Sequence, residues 1–140
     1  MATMVASMIQ NQRFVLEASV VKANNGDVSQ SNPMLSFIAV DSLTGVFKLG
    51  SSSITGAHLY DRSLVEGKIH DYLYTRNKEN GRYNVTFKLR GTTSYEFTMT
   101  AYPNGRAKAN LHTNISGSNI AYTGYLVPPG SSKAYKGVRP

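Results

Sequence analysis

The stretch VEGKIHDYLYTRNKENGRYNVTFKLRGTTSYEFTMTAYPNGRAKANL (residues 65–111) alternates apolar and polar side chains through four successive runs. Val65, Ile69 and Leu73, with Gly67 between them, fall on one side of the first run. Glu66, Lys68, His70, Tyr72, Tyr74 and Arg76 fall on the other. In the next runs Tyr83, Val85, Phe87 and Leu89, then Tyr95, Phe97, Met99 and Ala101, then Ala107, Ala109 and Leu111 form the apolar sets. A period of two means strands with one dry and one wet face, because successive side chains leave a strand on opposite sides. Asn80-Gly81, Gly91-Thr92-Thr93 and Pro103-Asn104-Gly105 separate the runs. The last is a type I turn signature, with Gly105 expected at positive φ in a following bulge. Connections this short force antiparallel neighbours.

Working outward, Met4, Val5, Met8 and Ile9 share one helical face, so a short N-terminal helix or arm is expected over 1–12. Such a helix is too short to be stable alone and would have to dock on the sheet. Strands are expected at Arg13–Lys22, Met34–Asp41, Val46–Leu49 and Asn119–Val127. The run Leu35, Phe37, Ile38, Ala39, Val40 is almost continuously apolar, which predicts burial on both faces. Ala23–Pro33 and Gly50–Ser63 carry no pattern and are expected as loops, and Pro128-Pro129-Gly130 ends the last strand. The expected fold is therefore mainly β: a single curled antiparallel sheet of about eight strands, barrel-like or sandwich, occupying 13–127, with a tail over 128–140. Its expected core is Phe14, Leu16, Ile38, Val40, Ile69, Leu73, Val85, Phe87, Phe97, Met99, Leu111, Ile120 and Leu126.

At 140 residues the chain is one domain, able to bury about two-thirds of its unfolded surface. Cysteine is absent, which excludes disulfides, a thiolate nucleophile and thiolate zinc sites. No run approaches the roughly 20 apolar residues of a membrane span. The first residues lack a basic start and long apolar core, so no signal peptide is expected in the sequence as it stands. The net charge of +7 is uneven. Residues 62–108 carry nine basic and four acidic side chains, and Lys133, Lys136 and Arg139 follow without an acid. The excess falls on the wet face of the meander, at Lys68, Arg76, Arg82, Lys88, Arg90 and Lys108, and on the tail. Such a face either keeps the protein in solution or attracts an anionic partner.

Four segments resemble one family: Arg13-Phe14-Val15-Leu16-Glu17-Ala18; Ile54 with Val65-Glu66-Gly67-Lys68-Ile69; Gly105-Arg106-Ala107-Lys108-Ala109; and Tyr122-Thr123-Gly124-Tyr125-Leu126-Val127-Pro128 with Tyr135-Lys136-Gly137. In order and spacing the chain, over roughly 12–138, is similar to domain-of-unknown-function family 4251 (DUF4251), small exported proteins of gut Bacteroidetes. The resemblance implies a periplasmic or outer-membrane-associated location. Members typically begin with a lipoprotein-type signal whose cysteine carries the lipid. This chain lacks that cysteine, which implies a shortened start or a variant without the anchor. The family brings no activity, catalytic residue or cofactor with it.

Motifs for catalysis are missing: no Gly-x-Ser-x-Gly elbow, no dinucleotide fingerprint and no phosphate-cradling Gly-Lys-Ser/Thr. His58, His70 and His112 lack the spacing of a local metal pair, and no metal or cofactor is expected. Asp71 falls on the dry side, as a bulge or an open barrel end would explain. Asn84-Val85-Thr86 and Asn114-Ile115-Ser116 match the glycosylation pattern, which matters only in a eukaryotic secretory pathway. The candidate ligand-binding residues are Tyr72, Tyr74, His70, Lys88, Arg90 and His112: aromatics interleaved with cations can stack on rings and hold anions, and equally serve as cross-strand partners. An exported protein would not meet nucleic acid. The expected function is a non-catalytic binding or interaction module for a small ligand, glycan, envelope partner or anionic membrane surface. The alternative is a hydrolase acting on an envelope or glycan substrate. The oligomeric state is left open.

Overall fold

The computed structural model describes residues 2–22, 28–30, 37–48, 65–91, 94–113 and 119–132. Among these residues one α-helix, α1 (Ala2–Gln10), precedes nine strands: β1 (Arg13–Lys22), β2 (Val28–Gln30), β3 (Phe37–Asp41), β4 (Thr44–Lys48), β5 (Val65–Arg76), β6 (Tyr83–Arg90), β7 (Ser94–Ala101), β8 (Arg106–Thr113) and β9 (Asn119–Val127). All pairings are antiparallel, and each strand from β3 to β9 lies beside the next in sequence. β1 pairs with β3 through residues 13–17 and with β9 through 15–22, so the sheet closes on itself. The eight strands β1 and β3–β9 form a barrel, and β2 is a short addition beside Val20–Lys22. Of the two expected architectures, the sandwich is excluded and the barrel stands. The expected loop at 23–33 is corrected at 28–30, where β2 pairs; its remainder, the 50–63 segment, residues 34–36 and the tail from 133 lie outside the described residues.

The interior is filled by the apolar sets of the alternation, with Phe14, Leu16, Val40, Val85, Phe97, Met99 and Tyr122 essentially sealed from water. Aromatic rings run through it. Phe87 stacks on Phe97 at 4.8 Å, Phe47 meets Phe97 edge-on at 5.5 Å, and Tyr72 lies 6.0 Å from Phe87. β3 is buried on both faces, as its unbroken apolar run predicts: Ile38 and Val40 face the barrel core, while Phe37 and Ala39 join Val15 and Val46 in a second cluster. Closure demands close backbone approach at one point. A β-carbon on Gly124 would stand 1.9 Å from the Glu17 carbonyl oxygen, so only glycine fits where β9 meets β1.

α1 docks over one end of the barrel and contributes Val5, Met8 and Ile9 to the core. The Tyr72 hydroxyl donates to the Ile9 carbonyl at 2.8 Å, satisfying an acceptor at the helix C-terminus. The turns at this end follow their sequence. Asn77 and Asn80 accept backbone N–H bonds from Glu79 and Arg82, Asn104 accepts from Arg106, and Gly81 and Gly105 take φ of +74° and +94°.

One expectation fails inside the decisive stretch. The β5–β6 register shifts between His70 and Leu73, and Asp71 takes φ +55°. This bulge inverts the face of every later residue in β5, because one extra residue reverses a period of two. Leu73, expected in the core, is 66% exposed. Tyr72, expected on the wet face, packs against the core instead. Asp71 is not on the dry side: it is exposed, with its carboxylate 3.6 Å from Lys88 Nζ.

Candidate binding surface

The outer wall of β5–β8 is built from the polar half of the alternation, which cross-strand register arranges into rows. Lys68 stands opposite Arg90, and Arg90 opposite Ser94. The next row runs His70, Lys88, Glu96, His112 over four strands. Beyond the bulge comes Leu73, Thr86, Thr98, Asn110, and then Thr75, Asn84, Thr100, Lys108. Inward apolar and outward polar alternation is the reverse of a lipid-facing barrel wall. Among the described residues no helix is long and apolar enough to cross a membrane.

Register decides the electrostatics here. Like charges directly opposite one another on a sheet are destabilising. Lys68 and Arg90 are such a pair, both exposed, and among the described residues neither makes an ion pair. Lys88 is partly offset by Asp71 and stands opposite Glu96 on its other side. A hollow of about 400 Å³ opens over the bulge, lined by Asp71, Leu73, Thr86, Lys88, Glu96 and Thr98 together with Phe87 and Phe97. It offers an apolar floor beside charges of both signs.

The six candidate residues divide. His70, Lys88, Arg90 and His112 share the outer wall. His70 and His112 are three strands apart, about 14 Å at the usual strand spacing, too far to act as a pair. Tyr72 is corrected to the inner side, and Tyr74 shares its parity but remains 42% exposed at the barrel end. Tyr72 is held by Ile9 and Phe87, and Tyr74 lies 6.1 Å from Tyr83. Burial, and then the neighbouring Tyr74, push the Tyr72 phenol well above its ordinary pKa, so it remains a neutral donor. Arg76, also expected on the wet face, follows the inverted parity. It lines a cleft of about 500 Å³ with Val5, Ala6, Gln10, Gly81, Tyr83 and Pro103 beside the helix. Among the described residues no group of three or more His, Asp or Glu is placed to hold a metal ion.

A larger cleft of about 760 Å³ separates α1 from the 3-10 turn Pro129–Ser131, between Met4, Met8, Arg13 and Pro128–Gly130. Its walls are mainly apolar, and Arg13 is held by Asp41 at 3.0 Å. On the outer wall near this end lie two cation–π pairs that the sequence reading missed. Arg82 sits over Tyr102 at 4.7 Å, and Arg106 over Tyr125 at 5.7 Å. The residues come from four strands or their ends, and only cross-strand register brings them together.

Comparison with known proteins agrees with this architecture. A family model described as "Domain of unknown function (DUF4251)" matches residues 2–126. A solved structure, the crystal structure of a DUF4251 family protein from Bacteroides eggerthii DSM 20697, is similar with a TM-score of 0.80 at 20% identity, over 99% of this chain and 94% of that one. At that identity the likeness concerns the fold. No curated protein matches.

Proposed function

Since the chain belongs to the DUF4251 family, whose description names no activity, its own surface is the ground for a functional reading, and we propose a non-catalytic binding module of the cell envelope whose basic outer wall engages an anionic partner. The observation that carries this is the Lys68–Arg90 pair, two cations set directly opposite each other and unneutralised by the described residues. An anion placed between them removes their repulsion and gains two charge-assisted hydrogen bonds. The convex wall offers an open contact area, which suits a surface or a polymer better than an enclosed substrate. The envelope location rests on the resemblance to exported proteins, which meet anions chiefly as lipid headgroups or acidic glycans.

Each cation near an anionic membrane contributes about 1 kcal/mol, so Lys68 and Arg90 together give roughly 2 kcal/mol. That is weak, reversible attachment, and it is sensitive to salt because the Debye length is only about 8 Å at physiological ionic strength. Co-sedimentation with phosphatidylglycerol-containing and with pure phosphatidylcholine vesicles tests it. Binding to the anionic vesicles alone, lost at high salt and reduced by Lys68→Ser with Arg90→Ser, supports the reading. Equal partitioning in every condition overturns it.

A further inference from the structure

We propose that a second site, the outer-wall row Arg82–Tyr102–Arg106–Tyr125 near the helix end of the barrel, binds an acidic polysaccharide. The four side chains lie on, or one residue beyond the ends of, four successive strands. Extending the β6–β7 register by one residue sets Arg82 beside Tyr102, and the Tyr102 N–H donates to the Arg106 carbonyl at 2.8 Å, closing the turn between them. Arg106 then stands opposite Tyr125. The row thus alternates cation, ring, cation, ring. Both arginines and Tyr125 are exposed, Tyr102 is half-buried, and among the described residues neither arginine makes an ion pair.

Stacking on a tyrosine fixes the plane of a guanidinium while leaving its N–H fork open, ready for bidentate capture of a carboxylate. The two forks stand two strand spacings apart, about 10 Å. That span is comparable to two pyranose residues of an extended chain, in which every second carboxylate faces the same side. Tyr125, half exposed beyond its contact with Arg106, gives a sugar face something to lie on. The row also has an end. The next residue across, Glu17 opposite Tyr125, is a carboxylate that accepts from the Ser132 hydroxyl at 2.8 Å, and it repels an acidic chain. The chemistry therefore selects a polymer with carboxylates on rings over one with charge alone. The site is distinct from the Lys68–Arg90 wall, because Arg82 and Arg90 are eight residues, roughly 26 Å, apart along β6.

Affinity electrophoresis through gels containing polygalacturonate tests the proposal, with methyl-esterified polygalacturonate and polyphosphate as the other two gels. Retardation by polygalacturonate and none by its methyl ester is expected. Arg82→Gln with Arg106→Gln should weaken it about ten-fold or more, the loss expected for hydrogen bonds to charged groups. Tyr125→Ala should weaken it as well. No effect of the arginine changes, or an equal loss of retardation by polyphosphate in the same variant, would overturn the site. Failure of vesicle binding alone would bear on the other wall.

Discussion

Asp71 holds φ +55° on an exposed strand, a conformation that costs a residue with a β-carbon about 1–2 kcal/mol. Aspartate is among the side chains that tolerate it best. Asp71→Gly should leave the stability from urea melts unchanged or raised, and Asp71→Ala should lower it by about 1 kcal/mol; the reverse order would mean that the bulge is elsewhere. The Asp71–Lys88 contact, at 3.6 Å and in solvent, adds little to this balance. Tyr122 illustrates a different constraint. It is fully buried, and burial pushes its phenol far above the ordinary value of 10.0. The native state therefore keeps its proton while the unfolded chain loses one as the pH passes about 10, so stability is constant below that pH and falls above it. The slope expected from Tyr122 is about 1.4 kcal/mol per pH unit, measurable as urea midpoints between pH 9 and 11. A flat profile would contradict the burial of this hydroxyl.

At the scale of elements, β5 shows what a period of two conveys and what it hides. The alternation of Val85, Phe87 and Leu89 with Asn84, Thr86 and Lys88 places every side chain of β6 correctly, because nothing interrupts the strand. β5 has the same kind of pattern, yet a single bulge at a non-glycine residue reverses its second half. Neither glycine nor proline marks the spot, so the sequence carries no sign of it beyond an aspartate on the wrong side. The consequence is a contrast between two residues that looked alike. Phe87→Ala should cost about 3–5 kcal/mol and Leu73→Ala less than about 0.5 kcal/mol. Similar losses in urea melts would restore Leu73 to the core. Helix α1 was legible from Met4, Val5, Met8 and Ile9, and its docking follows from the need of so short a helix for a partner.

For the whole molecule, the strand count and the β5–β8 meander were readable because short turns dictate neighbours. Closure was not, since β1 and β9 are about a hundred residues apart and nothing local records that Gly124 passes against Glu17. The binding rows share that limit: Lys68 with Arg90, and Arg82 with Tyr102, are joined by register alone. The same geometry yields a trade-off. If Lys68 and Arg90 are kept opposed for an anionic partner, the fold carries a repulsion that folding itself does not need. Arg90→Glu turns it into an attraction, and a gain of roughly 0.2–1 kcal/mol in stability is expected. The most direct measurement is therefore the co-sedimentation of Arg90→Glu beside the wild type on phosphatidylglycerol-containing vesicles at low salt. Loss of binding by this stabilised protein is the predicted result. Undiminished binding would contradict the assignment of the basic wall as the site.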